Sequence, residues 1–139
     1  MSKSWGTPTW IFFHTFAEHI DPTFYKHNRD TIKKFIISIC NNLPCPDCTK
    51  HAIQYNRFNL TITNIENKEK LKQYFFNFHN AVNVRKGYSI FKNYNIYKSS
   101  KLRTSYINFK RAYLRNNALS RAFCDSLQRK NIINNLESF

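Results

Sequence analysis

Apolar positions recur with helical rather than strand periodicity along almost the whole chain. Behind Thr7-Pro8, which reads as an N-cap followed by a first-turn proline, Trp10, Phe13, His14 and Ala17 recur one turn apart and predict a helix over about residues 8–20. Asp21-Pro22 breaks it. From Asn28 or Asp30, the set Ile32, Phe35, Ile36, Ile39, Cys40 and Leu43 predicts a second amphipathic helix. Pro44 and Pro46 end it and start a third, which carries Cys48, Ala52 and Tyr55. The polar stretch NLTITNIENK is the one loop of length. KLKQYFFNFHNAVNVRK is the fourth helix, with Leu71, Phe75, Phe78 and Val82 inward. Three further segments, YSIFKNYNIYK, LRTSYINFKRAYL and ALSRAFCDSLQRKNIINNL, each fit a helix with basic residues on its outer face. The expectation is an all-α helical bundle without a clear repeat, with the segment after about Lys98 as its appendage.

Composition supports a packed core. The 139 residues suffice for one domain, and 13 Phe and 8 Tyr argue against disorder. Only 2 Gly and 4 Pro leave little for tight turns, which disfavours hairpin-rich folds and glycine-rich phosphate loops. A flat aromatic ligand would have to be held by side chains. The net charge of +14 is uneven: residues 1–84 hold 10 Lys and Arg against 6 Asp and Glu, and residues 85–139 hold 12 against 2. Such a surface suits a phosphate-bearing cofactor, a nucleic acid, an acidic partner or an anionic membrane, and charge alone does not choose. No apolar run approaches the roughly 20 residues of a membrane span. The start MSKSWGTPTW does not read as a signal peptide, so the expected compartment is the cytosol, where a Cys-x-x-Cys is more often catalytic or metal-binding than a structural disulfide.

The candidate chemistry centres on NLPCPDCTKHA. Cys45 and Cys48, near a helix start, can close a short disulfide, and the helix dipole there favours thiolate, the attacking form. His51 lies one turn further on. A zinc site built from Cys45, Cys48, His51 and either His79 or Cys40 is the weaker reading, because no second Cys-x-x-Cys or His-x-x-x-His pair exists. On the fourth helix His79, Val82, Asn83 and Lys86 share a face. Taken alone, that stripe reads first as a buried, hydrogen-bonded histidine with an asparagine partner. Trp10 and His14 form a third pair, one turn apart.

In order and spacing, WGTPTWIFFHTFA, LPCPDCTKHA and FHNAVNVRKG resemble the Trp-x-x-x-His, Cys-x-x-Cys and His-Asn-x-Val-Asn motifs of the Erv/ALR family of FAD-linked sulfhydryl oxidases, over about residues 5–98. The short chain is most similar to the small oxidases of large cytoplasmic DNA viruses. The resemblance implies a four-helix bundle with a short fifth helix holding FAD, plus a C-terminal helical segment. It divides the chain into an oxidase domain over 1–98 and a basic helical extension over 99–139, packed on or beside it. It implies a homodimer that oxidises protein dithiols, handed over directly or by a thioredoxin-like or viral shuttle protein, and passes electrons through flavin to O₂, giving H₂O₂. Cys48 would be the flavin-facing thiolate and Cys45 the interchange thiol. Gly6, Thr7, Trp10, His14, Cys48, His51, His79, Asn80, Val82, Asn83, Arg85, Lys86 and Phe91 would contact the cofactor, with no metal ligand among them. The implied location is the host cytoplasm, at virus assembly sites, and the virion.

Three features depart from the family pattern. After Val82-Asn83 the chain reads VRKGYS, so Tyr88 stands where a phosphate-binding lysine is expected, and Arg85 or Lys86 would take that charge. Phe91 or Tyr94 would replace the tryptophan of the fifth helix. No shuttle pair accompanies Cys45 and Cys48: Cys40 reads as a packed cysteine, and Cys124 reads first as free, with pairing to Cys40 or between subunits as the alternatives. The basic region after residue 85 reads first as a solvated helical face, with nucleic acid or an acidic partner as the less favoured reading despite Tyr97, Tyr106 and Tyr113. A colourless zinc-binding or basic partner-binding helical module is the alternative function.

Overall fold

A computed structural model describes residues 5–115 and 120–138, without the side chains of Tyr94 and of residues 120–127. The expected free thiol of Cys124 therefore lies outside the described residues, as does the expected contact of Tyr94. The fold is all-α. Its helices are α1 (Gly6–His19), α2 (Pro22–Cys40), α3 (Pro46–Asn59), α4 (Lys68–Lys86), α5 (Leu102–Tyr113) and α6 (Ser120–Ser138), with short 3-10 turns at Thr63–Ile65 and Tyr94–Lys98.

Local chemistry explains most of the boundaries. Asp21-Pro22 does separate two helices, α1 ending at His19, and it also starts the next: Asp21 is the N-cap of α2, its carboxylate accepting from Phe24 N at 2.9 Å, and Pro22 sits at the first helical position. The second helix thus begins well before the predicted Asn28 or Asp30. Conversely, α1 starts earlier than Thr7-Pro8 suggested. Trp5 takes the cap position without a side-chain cap, and the Thr9 hydroxyl donates to Trp5 O at 2.6 Å. Pro8 still falls in the first turn, where its missing N–H is harmless. α4 is capped by Asn67 and stopped by Gly87, whose φ of +75° is the left-handed conformation glycine adopts freely. Tyr88 N closes that end on Asn83 O at 2.8 Å.

Two expectations change. YSIFKNYNIYK is not a helix: residues 88–93 have no regular structure, and only Tyr94–Lys98 turns as a 3-10 segment. Asn80 on α4 captures this strand-like stretch by accepting from Phe91 N at 2.7 Å and donating to Phe91 O at 2.9 Å. The stretch 59–68 is not a plain solvated loop either, since Leu60 and Ile65 enter the core and the Tyr25 hydroxyl donates to Ile65 O.

One core cluster runs from Trp5 to Ile133. α1 lies at its centre, packed against both α4 and α5. Its neighbouring residues Phe12 and Phe13 serve opposite partners: Phe13 stacks on Phe75 of α4 at 4.8 Å, and Phe12 stacks on Phe109 of α5 at 4.8 Å. A helix apolar on two faces must be covered on both. The Lys72–Glu18 pair, 2.8 Å and largely shielded, adds a polar tie between α1 and α4. Phe75→Ala should lower the unfolding free energy by about 3–5 kcal/mol in chemical denaturation; a change within error would show that Phe75 does not carry the α1–α4 contact.

Candidate functional site

The start of α3 is built by the two cysteines themselves. Pro46 occupies the first helical position and Cys45 is the N-cap, its Sγ accepting from Cys48 N at 3.2 Å. Both are free thiols, set apart by exposure: Cys48 is buried and Cys45 is half-buried. Thr49 ties the preceding loop down, its hydroxyl accepting from Leu43 N at 3.1 Å. Burial holds the Cys48 thiol above its ordinary range, the neighbouring Cys45 raises it further, and Lys86 pulls it back. Burial thus opposes the thiolate that a helix start favours.

Cys48 opens onto a cleft of about 570 Å³ between α3 and α4, walled by Leu43, Ala52, Tyr55, Phe78 and Val82, with His51 and Arg85 at its polar side. Tyr55 and Phe78 stack at 4.8 Å across the two helices. Asp47, between the cysteines, reaches Arg85 at 3.5 Å and His51 at 3.6 Å and so links the start of α3 to the end of α4. A second cleft of about 300 Å³ is lined by Gly6, Thr7, Trp10, His79, Val82, Asn83 and Tyr88. Val82 lines both, so the two adjoin.

Behind the second cleft lies an aromatic stack. Trp10 lies flat on His79 at 4.4 Å, His14 Nε2 and His79 Nδ1 share a hydrogen bond of 2.9 Å, and Tyr97 stacks on His14 at 4.8 Å. Phe91 closes against His79 at 5.2 Å. Burial, with His79 adding to it, lowers the His14 pKa to about 3; burial lowers that of His79 to about 4. Both rings are neutral at neutral pH, one donating to the other.

Of the anticipated residues, Gly6, Thr7, Trp10, Cys48, His51, His79, Val82, Asn83 and Arg85 line these two clefts. His14, Asn80, Phe91, Lys86 and Cys45 do not. His14 supports His79, Asn80 commits its amide to the Phe91 backbone, and Lys86 acts on Cys48 through its charge. Tyr55, Phe78 and Asp47 were not anticipated. Tyr55 lies two turns beyond Cys48 and Phe78 one turn before Val82, so helical spacing from the motif residues could have found both. Cys40 is fully buried and its thiol is pushed up to about 12, consistent with a packing role. Among the described residues no group of three or more His, Cys, Asp or Glu could hold a metal ion, and no helix is long and apolar enough to cross a membrane.

Comparison with known proteins agrees with this geometry. The Erv1 / Alr family matches residues 7–101. A protein named "Putative FAD-linked sulfhydryl oxidase 096R", of Invertebrate iridescent virus 3, is 36% identical over 84 residues, covering 60% of this chain and 56% of the relative. Another, 347L of Invertebrate iridescent virus 6, is 33% identical over 91 residues, covering 60% of this chain and 79% of the relative. The FAD-linked sulfhydryl oxidase of an African swine fever virus isolate (Pig/Kenya/KEN-50/1950) is 34% identical over 104 residues, covering 72% and 85%. The chain thus spans little more than half the length of the first of these relatives, and most of the other two. No solved structure matches the chain.

The neutral histidine pair fixes a direction of pH dependence. Both folded-state values lie below the unfolded value near 6.5, so this stability is present above pH 6.5 and is lost as pH falls toward 4 and then 3. The thermal midpoint should fall between about pH 7.5 and about pH 5, before most carboxylates titrate, and His79→Asn should flatten the slope. An unchanged slope in that variant would remove the pair as its cause.

Proposed function

The chain belongs to the Erv1 / Alr family, and we propose on that footing that it is an FAD-dependent thiol oxidase whose exchanging pair is Cys45 and Cys48. The single observation that carries the reading is Cys48, a buried thiol facing a cleft that adjoins the Trp10–His79 cleft, while its partner Cys45 stays within reach of solvent.

The residues present fit FAD. The larger cleft lies within the roughly 300–1,000 Å³ of small-molecule sites and is mostly apolar and aromatic, as a flat ring system requires. Tyr55, Phe78 and Val82 would hold the ring system beside Cys48. Trp10, His79, Asn83 and the Gly6-Thr7 turn would hold the adenosine half. Arg85 and Lys86 are the cations available to the pyrophosphate, and Asp47 already shares Arg85. When bound, FAD supplies a two-electron acceptor that reoxidises the cysteine pair and delivers the electrons to O₂ as H₂O₂.

The protein's own part is thiol–disulfide exchange. With Cys45 and Cys48 joined, a substrate thiolate attacks Cys45 Sγ, the S–S bond breaks, and Cys48 leaves as thiolate. The second substrate thiol, deprotonated, then attacks the mixed disulfide, releasing Cys45 and a substrate disulfide. Two electrons reach the pair, and the two substrate protons go to the released thiolates or to water. Lys86 opposes the burial that disfavours charge on Cys48. Substrates are protein dithiols, delivered directly or through a thioredoxin-like or viral shuttle. We place it in the host cytoplasm, at assembly sites, and in the virion, on the ground that these relatives are viral proteins. The homodimer implied by the resemblance would form away from any face the chain covers itself.

Purified protein should be yellow, with flavin absorption bands, and should consume O₂ with dithiothreitol. Absence of flavin after gentle purification and FAD addition overturns the reading. Cys48→Ser should abolish turnover yet retain FAD. Cys45→Ser should abolish dithiol oxidation and add a long-wavelength absorption band. Loss of FAD from both variants would make the cysteines structural instead.

A further inference from the structure

The family match ends at residue 101, yet α1 meets α5 more extensively than it meets α4. The two C-terminal helices therefore belong to the packing of the redox domain while lying outside the segment that defines the family. Phe109 and Tyr113 on α5 and Ile133 on α6 are fully buried. The Tyr113 hydroxyl donates to Ile39 O of α2 at 3.2 Å. Arg129 on α6, also buried, donates from Nε to Tyr113 O at 2.9 Å and so caps the C-terminal end of α5, where a cation is favoured. Lys110 and Glu137 join the two helices again at 2.8 Å. The pair is thus locked together and seated as a unit.

Its seat is an apolar face of α1 and α2: Phe109 stacks on Phe12, Tyr113 reaches the backbone of Ile39, and Leu136 of α6 lines a small apolar cavity together with Phe16, Ile32 and Ile36. Without α5 and α6 this face would be a contiguous apolar patch on a small domain, the kind that associates with another molecule. The same α1 carries Trp10 and His14 toward α4. Phe12, next to Phe13, rests on Phe109 on the far side.

We propose that the C-terminal helix pair is a built-in partner: it occupies the α1–α2 face, backs the cofactor helix α1 from behind, and closes that face to a second copy of the chain. A tethered segment acts at an effective concentration on the order of millimolar, well above that of a free second copy at micromolar protein. The backing role rests on the reading of α1 as a cofactor helix; the closing of the face does not.

The test uses the full chain loaded with FAD. Amide exchange over residues 32–39 should not change with protein concentration; protection that grows with concentration would show a second copy on this face and overturn the proposal. Phe109→Asp should unseat the pair, giving concentration-dependent association by light scattering and at least about tenfold weaker FAD binding, since α1 then loses one of its two packed faces. A folded variant that keeps the parent mass and FAD affinity also overturns it. Should Phe109→Asp not fold, Tyr113→Phe removes only the hydroxyl bonded to Ile39. Faster exchange at residues 39–43 and around α5 is expected, and unchanged exchange overturns the proposal. If the parent binds no flavin, the oxidase reading fails, while exchange and mass still decide who occupies the face.

Discussion

The contact between α1 and α4 is the constraint on which the rest depends. The two helices run antiparallel, so residues that climb along α1 meet residues that descend along α4. Trp10 meets His79, Phe13 meets Phe75, and Glu18 meets Lys72. The lower part of this seam is hydrophobic core and a shielded ion pair. The upper part is a Trp–His stack with a buried His–His hydrogen bond. Core and site are therefore one interface with a changing chemistry along its length. Two imidazoles in that position stay neutral because burial disfavours a charge on either, and the second ring would repel it further. A neutral pair presents a flat, polarised surface without introducing a charge beneath the cleft.

The start of α3 shows a similar economy of parts. The Cys45 sulfur caps a helix while lying beside Cys48, and the proline between the cysteines starts that helix where its missing N–H costs nothing. The two thiols then differ because one is half-exposed and the other is packed against the cleft. Burial disfavours the Cys48 thiolate, and the charge of Lys86 opposes that effect. Asp47 fastens this turn to α4 through Arg85, which places the charge at the rim under the control of the motif itself.

Packing also explains why the chain continues past the family segment. α1 is apolar on two sides, and α4 covers only one. The other side needs a neighbour, and α5 and α6 supply it within the same molecule, joined to each other through Arg129 and the Lys110–Glu137 pair. Arg103, Arg111 and Lys130 take exposed positions on helices whose inner residues are buried, whereas Arg129 is itself buried.

Helical periodicity determined most of the fold, because a helix is specified by contacts a few residues apart. The four main helices, the Pro46 restart and the Gly87 stop follow from local spacing and capping. The motifs located the cleft residues Trp10, Cys48, His79, Val82 and Asn83. Local signals fell short where one dipeptide does two jobs: Asp21-Pro22 ends α1, as its break reading has it, and also caps α2, which the later predicted start missed. They failed also where a distant residue overrides propensity, as Asn80 does in binding the backbone of Phe91 outside any helix. The remaining features were decided by tertiary structure. The shift of Cys48, the pairing of His14 with His79, the bridge from Asp47 to Arg85 and the seat of α5 on α1 all join residues distant in the chain or depend on burial. Burial is a property of the packed molecule, and no spacing along the sequence encodes it.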